Sequence, residues 1–204
     1  MKMSFCGIFI FFGVIIMKNR AQIKRLCFAA IFLALALVLP LLTGQIKQIG
    51  QMLCPMHFPV ILCGFLCGPA WGALIGAAAP LLRSVIFGMP LMFPAAVAMS
   101  FELCAYGFFA GFLYKKLPKW RIFIYFDLIV SMILGRVVWG IVKYLIAGFT
   151  GTEFTLKMYI AAVLTESIPG IILQIVLIPL LLFAIYRVGF FKDLFVGVIK
   201  REFD

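Results

Sequence analysis

Residues 26–46, 48–82 and 84–101 contain no lysine, arginine, aspartate or glutamate. A helix of ~20 apolar residues crosses the ~30 Å hydrocarbon layer of a bilayer, and these runs are of that order. Water is absent there, so the backbone has to satisfy its own hydrogen bonds, which helices do within a single segment. Of the 204 residues, 66% are hydrophobic and 12% charged, whereas soluble domains carry about 25% charged residues. The chain is therefore read as a polytopic membrane protein. Its net charge of +11 would suit a nucleic-acid partner only on the basic face of a soluble fold, so here the charge is read as a topology signal.

Six spans are expected, at about 26–43, 56–68, 69–88, 94–114, 121–148 and 157–186. The break between the second and third is tight, and Pro69 stands where a new helix can begin. With the N-terminus in the cytoplasm, Lys18, Arg20, Lys24, Arg25, Lys115, Lys116, Lys119, Arg121, Arg187, Lys192, Lys200 and Arg201 all fall inside, and Lys47 and Lys157 fall outside. That bias predicts an all-α membrane protein, a bundle of six transmembrane helices with both termini cytoplasmic. Residues 18–188 form the expected substrate-binding domain and 189–204 a cytoplasmic tail, either amphipathic on the inner surface or solvated. The apolar run 4–17 is too short to span, and no small-residue cleavage site follows it. Residues 1–17 are therefore expected to be a peripheral extension, with Met17 as the natural start.

Five ionisable residues interrupt the spans: Arg83, Glu102, Arg136, Lys143 and Glu166. A charge at the centre of a membrane helix costs roughly 2.5–3.5 kcal/mol on insertion scales, so such residues usually face a pocket or a pathway. At ~1.5 Å per residue they sit about 8 to 18 Å from the outer ends of their helices, and His57 lies at the outer mouth of the second span. These positions predict a pocket open to the outside. Three cations against two carboxylates favour a ligand with an anionic group. The competing reading is packing through ion pairs, such as Arg83 with Glu102 or Lys143 with Glu166. Asp127 is expected to reach toward the cytoplasmic interface.

Trp71, Trp139, Phe58, Phe93, Phe101 and Tyr106 are candidates for aromatic walls. Trp139 is the strongest of them, because it lies between Arg136 and Gly140 on the charge-bearing span. The polar loop 44–55, with Gly44 and Gly50, is a candidate lid. With one histidine and no zinc or P-loop signature, neither a metal nor another cofactor is expected. Cys6, Cys27, Cys54, Cys63, Cys67 and Cys104 lack the spacing of a metal knuckle and read as packing residues.

Gly68, Gly72 and Gly76 recur every four residues, and Ala30 and Ala34 form a second smooth surface. The stretch from His57-Phe58-Pro59 through Gly64, then Gly68-Pro69-Ala70-Trp71-Gly72 and Gly76, behind a first helix carrying Ala30 to Ala34, resembles the substrate-binding S components of energy-coupling factor (ECF) transporters. The resemblance covers roughly residues 18–186. It implies a non-enzymatic, multi-pass protein of a bacterial-type plasma membrane that captures a vitamin from outside. Its implied partners are a transmembrane coupling subunit and two ATP-binding subunits, with Ala30 and Ala34 as the contact surface and toppling in the membrane as the release step.

A carboxylate-bearing vitamin such as pantothenate suits the cationic excess; pyridoxine, thiamine precursors, riboflavin and cobalamin-type ligands stay open. The alternatives are a proton-coupled secondary transporter using Glu102 and Glu166, for which internal repeats are expected and not evident, and an intramembrane enzyme built on His57 with Ser84 or Ser100.

Overall fold

The computed structural model describes residues 3–42, 55–117, 121–151, 155, 159 and 168–187. Among these described residues, six α-helices follow in order: α1 (Met3–Leu42), α2 (His57–Cys67), α3 (Pro69–Phe87), α4 (Val97–Lys116), α5 (Arg121–Thr150) and α6 (Ile168–Arg187). Together they form an all-α bundle.

Among the described residues four helices, and not the six expected, are long and apolar enough to cross a membrane. The stretches are Gln22–Leu41, Pro69–Phe87, Met92–Lys116 and Ile122–Thr150. The segment expected as the second span folds as α2, whose 11 residues reach about 16 Å, half the hydrocarbon thickness. Every residue of α2 is buried, so its hydrophobicity serves contact with protein instead of lipid. Gly68 ends it at φ 99°, ψ 172°, a conformation open to glycine and strained for other residues. The Gly68 N–H donates to the Gly64 carbonyl (3.1 Å), and Pro69 then starts α3 at a position where a missing N–H costs nothing. In the segment expected as the sixth span, the described apolar stretch runs from Gly170 to Ile185 and is shorter than a span. The expected pair of cytoplasmic termini falls on residues 1, 2 and 188–204, which lie outside the described residues.

The tightest packing joins α3 to α4. A Cβ added to Gly72 would collide with the backbone of Gly107, and one added to Gly76 with the backbone at Leu103. These positions admit no side chain because the two helices touch backbone to backbone, the close approach that small residues allow in membrane bundles. α2 packs against α1, α3 and α4 around this seam. Helix α1 turns Ala29, Phe32 and Ala36 into the core and leaves Ala30 and Ala34 exposed on the opposite face, as the 3.6-residue period requires. Helix α5 lies on α4, and α6 touches α5 and α2 more loosely.

Candidate functional site

Four side chains from three helices meet inside the bundle. Glu102 and Tyr106 stand one turn apart on α4 and so share a face. His57 opens α2, and Arg136 comes from the middle of α5. They converge on one atom, Glu102 Oε1: Arg136 Nη1 lies 3.0 Å from it, the Tyr106 hydroxyl donates to it at 3.3 Å, and His57 Nε2 lies 3.7 Å away. Glu102 is 2% exposed and His57 3%. Burying a lone carboxylate so deeply would be costly, and the guanidinium and hydroxyl offset that cost. The Tyr106 ring meets the imidazole edge-on, with centroids 5.1 Å apart. It is seated against Gly135, where any Cβ would strike the ring. Among the described residues, neither nitrogen of His57 has a hydrogen-bond partner, nor does Gln174 Oε1 on α6. Buried polar atoms are normally satisfied, which sets these atoms apart from the rest of the core.

A cleft of about 240 Å³ between α5 and α6 is lined by Ile129, Met132, Ile133, Arg136 and Val137 of α5, Ile171 and Ile175 of α6, and Tyr159, and its surface is almost wholly apolar. Tyr159 lies flat on Gly140, where a Cβ would strike its ring, and its hydroxyl donates to the Arg136 carbonyl at 3.3 Å. Trp139 stacks on Tyr159 with centroids 6.1 Å apart. The Arg136 guanidinium lies 5.9 Å and the Lys143 ammonium 5.8 Å from the Trp139 ring, within cation–π range. Trp139 is thus held between two cations one heptad apart.

Of the candidate residues, His57, Glu102 and Arg136 stand in one knot, with Trp139 and Lys143 beside it. Arg83 is placed elsewhere: its Nη1 donates to the Leu37 carbonyl of α1 at 2.9 Å, and its guanidinium lies 5.4 Å from the Phe87 ring. That bond ties α3 to α1. Glu166 and residues 44–54 of the candidate lid lie outside the described residues. Phe93 and Phe101 are exposed on the bundle exterior, whereas Phe58 is buried. Asp127 does not reach the interface; it is 0% exposed, and neither carboxylate oxygen has a partner among the described residues. It shares the inward face of α5 with Ile124, Leu128 and Ser131.

Tyr159 and Gln174 had no signal of their own in the sequence, since one tyrosine and one glutamine in apolar surroundings are ordinary. Among the described residues, no group of three or more histidine, cysteine, aspartate or glutamate side chains is placed to hold a metal ion.

The sequence model of the family described as ECF transporter, substrate-specific component matches residues 24–182. No curated protein and no solved structure matches the chain.

Proposed function

This chain belongs to the substrate-specific components of ECF transporters, and on that premise we propose that the knot around Glu102 and the cleft in front of Arg136 are where it holds its substrate. The protein is a multi-pass membrane transport protein and not an enzyme; its general task is substrate capture. In the proposed reading the substrate is a vitamin or related micronutrient with an anionic group, taken from outside. Delivery inward then depends on a transmembrane coupling subunit and ATP-binding subunits.

One observation supports this placement above the others: Arg136 joins a buried carboxylate to an open cleft. Its guanidinium is 3.0 Å from Glu102, and the residue borders the α5–α6 cavity. A guanidinium presents five donors in a planar fork, so it can serve a resident carboxylate and a ligand anion together. Glu102 keeps the site close to neutral while it is empty. The ligand then brings an anion to a place already shaped for one, next to Lys143 and Trp139.

The exposed Ala30 and Ala34 on α1 support a second part of the proposal, that this smooth strip meets the coupling subunit. Small side chains one turn apart let another helix approach closely. The core-facing side of α1 is occupied by α2 and α3, which leaves this face for a partner.

Thermal unfolding of the purified protein against a panel of vitamins tests the capture reading. A substrate that binds the folded state raises the midpoint by mass action, by about 2.7 kcal/mol of stability at a hundred times its dissociation constant. No stabilisation by any compound in a broad panel would overturn the reading.

A further inference from the structure

We propose that the exterior face of α4 binds an anionic phospholipid, with the headgroup on Lys115 and Lys116 and an acyl chain along Phe112 and Phe108. Helix α4 belongs to a stretch apolar enough to cross a membrane, Met92–Lys116, so the side chains it leaves exposed meet lipid. At 3.6 residues per turn, Phe108, Phe112, Lys115 and Lys116 fall within about 100° of one another around the helix. The two rings are 40% and 38% exposed, and both lysines are exposed. Phe108 and Phe112 stack at 13°, with centroids 5.7 Å apart, and the Lys116 ammonium lies 4.5 Å from the Phe112 centroid. One strip thus runs from two cations at the helix end onto aromatic surface.

The placement of Lys116 carries the argument. A lysine at the end of a span ordinarily extends its ammonium away from hydrocarbon and into water. Here it turns back by one helical turn onto a ring. The ring attracts the charge but accepts no conventional hydrogen bond, and the ammonium has three donors. A phosphate at that depth supplies both the charge and the oxygens. Cations in a last turn also complement the helix dipole, yet that role calls only for nearness to the last carbonyls and not for a seat on Phe112. Among the described helices, α4 alone has two basic residues in its last turn; α6 has Arg187, and α1, α2, α3 and α5 have none. Length sets how far the chain reaches. Phe108 stands about 12 Å from Lys116 along the helix, within the ~15 Å of hydrocarbon in one leaflet. Phe101, about 22 Å away, falls to the opposite leaflet. Each lysine contributes about fivefold to attraction by an anionic membrane surface, so the pair selects an anionic headgroup over a zwitterionic one.

The test is native mass spectrometry of the full chain released from nanodiscs of equal parts phosphatidylglycerol and phosphatidylcholine, reading the lipid masses that stay bound. Phosphatidylglycerol is expected to be retained at least tenfold over phosphatidylcholine. Lys115→Gln combined with Lys116→Gln is expected to abolish that preference and to leave the unfolding midpoint in phosphatidylcholine unchanged, since both side chains are exposed. Phe112→Leu keeps an apolar surface without the ring and is expected to lower the preference about two- to fivefold. Arg187→Gln is the control, at the end of a helix whose exposed Val176 and Leu180 are aliphatic, and is expected to change nothing. Equal retention of the two lipids, or a preference that survives loss of both lysines, would overturn the site. An equal fall in Arg187→Gln would mark general surface charge and overturn it as well, and an unchanged preference in Phe112→Leu would overturn the seat on the ring. A dimer in place of lipid-bound monomer would give the face to a second copy of the chain and overturn the lipid.

Discussion

Arg136 is the residue on which the account turns, because it is the cation paired with a buried carboxylate and borders a cleft. Removing one partner of a buried pair typically costs 3–5 kcal/mol, since the other charge is left uncompensated. Arg136→Ala is therefore expected to lower stability by about that amount and to weaken ligand binding at least tenfold; paired thermal unfolding and binding titrations check both. Tyr106→Phe removes one hydrogen bond of 3.3 Å and is expected to cost about 0.5–1.5 kcal/mol, with ligand binding retained within a few-fold. Rare charges within apolar helices made Glu102 and Arg136 visible from the sequence. Their pairing with each other was not visible, because it depends on how α4 and α5 are rotated. Arg83 looked equivalent by composition, yet it meets the Leu37 carbonyl, a backbone partner that no side-chain pattern announces.

At the scale of elements, α2 shows how apolar sequence and membrane span part company. Hydropathy records that a segment avoids water, and it is silent on whether lipid or protein surrounds it. The 11 residues of α2 are wrapped by protein, and the Gly68-Pro69 junction turns the chain into α3 before a full crossing is reached. That junction was legible in the sequence as a tight break. The helix seam was legible in part: Gly72 and Gly76 stood out by their spacing, whereas Gly107, which Gly72 meets, had no pattern to mark it. Overpacking a close contact usually costs 1–3 kcal/mol, and here a side chain would meet backbone. Gly72→Ala is thus expected to lower the unfolding midpoint, and Gly107→Leu to lower it further. Gly148→Ala is the matched control, since a Cβ there meets nothing within 4 Å; a seam variant as stable as this control would contradict the backbone contact.

For the whole molecule, the proposed reading puts recognition and coupling on separate surfaces. The knot and cleft belong to α2, α4, α5 and α6, and the exposed alanine strip belongs to α1. Ala34→Trp is accordingly expected to leave ligand binding unchanged and to abolish uptake in cells that contain the coupling subunits. Loss of binding in that variant would contradict the separation. Family membership was legible through the glycine and alanine spacings and is supported over residues 24–182. The α5–α6 cleft and the place of Tyr159 in it were not legible, because they depend on how the helices pack and Tyr159 has no distinguishing neighbours in the sequence. The most direct measurement is native mass spectrometry of the freshly extracted protein beside its Arg136→Ala variant. The account predicts a small bound anion on the parent chain and its loss from the variant; no bound mass in the parent after saturation with a vitamin panel, or the same mass retained by the variant, would contradict it.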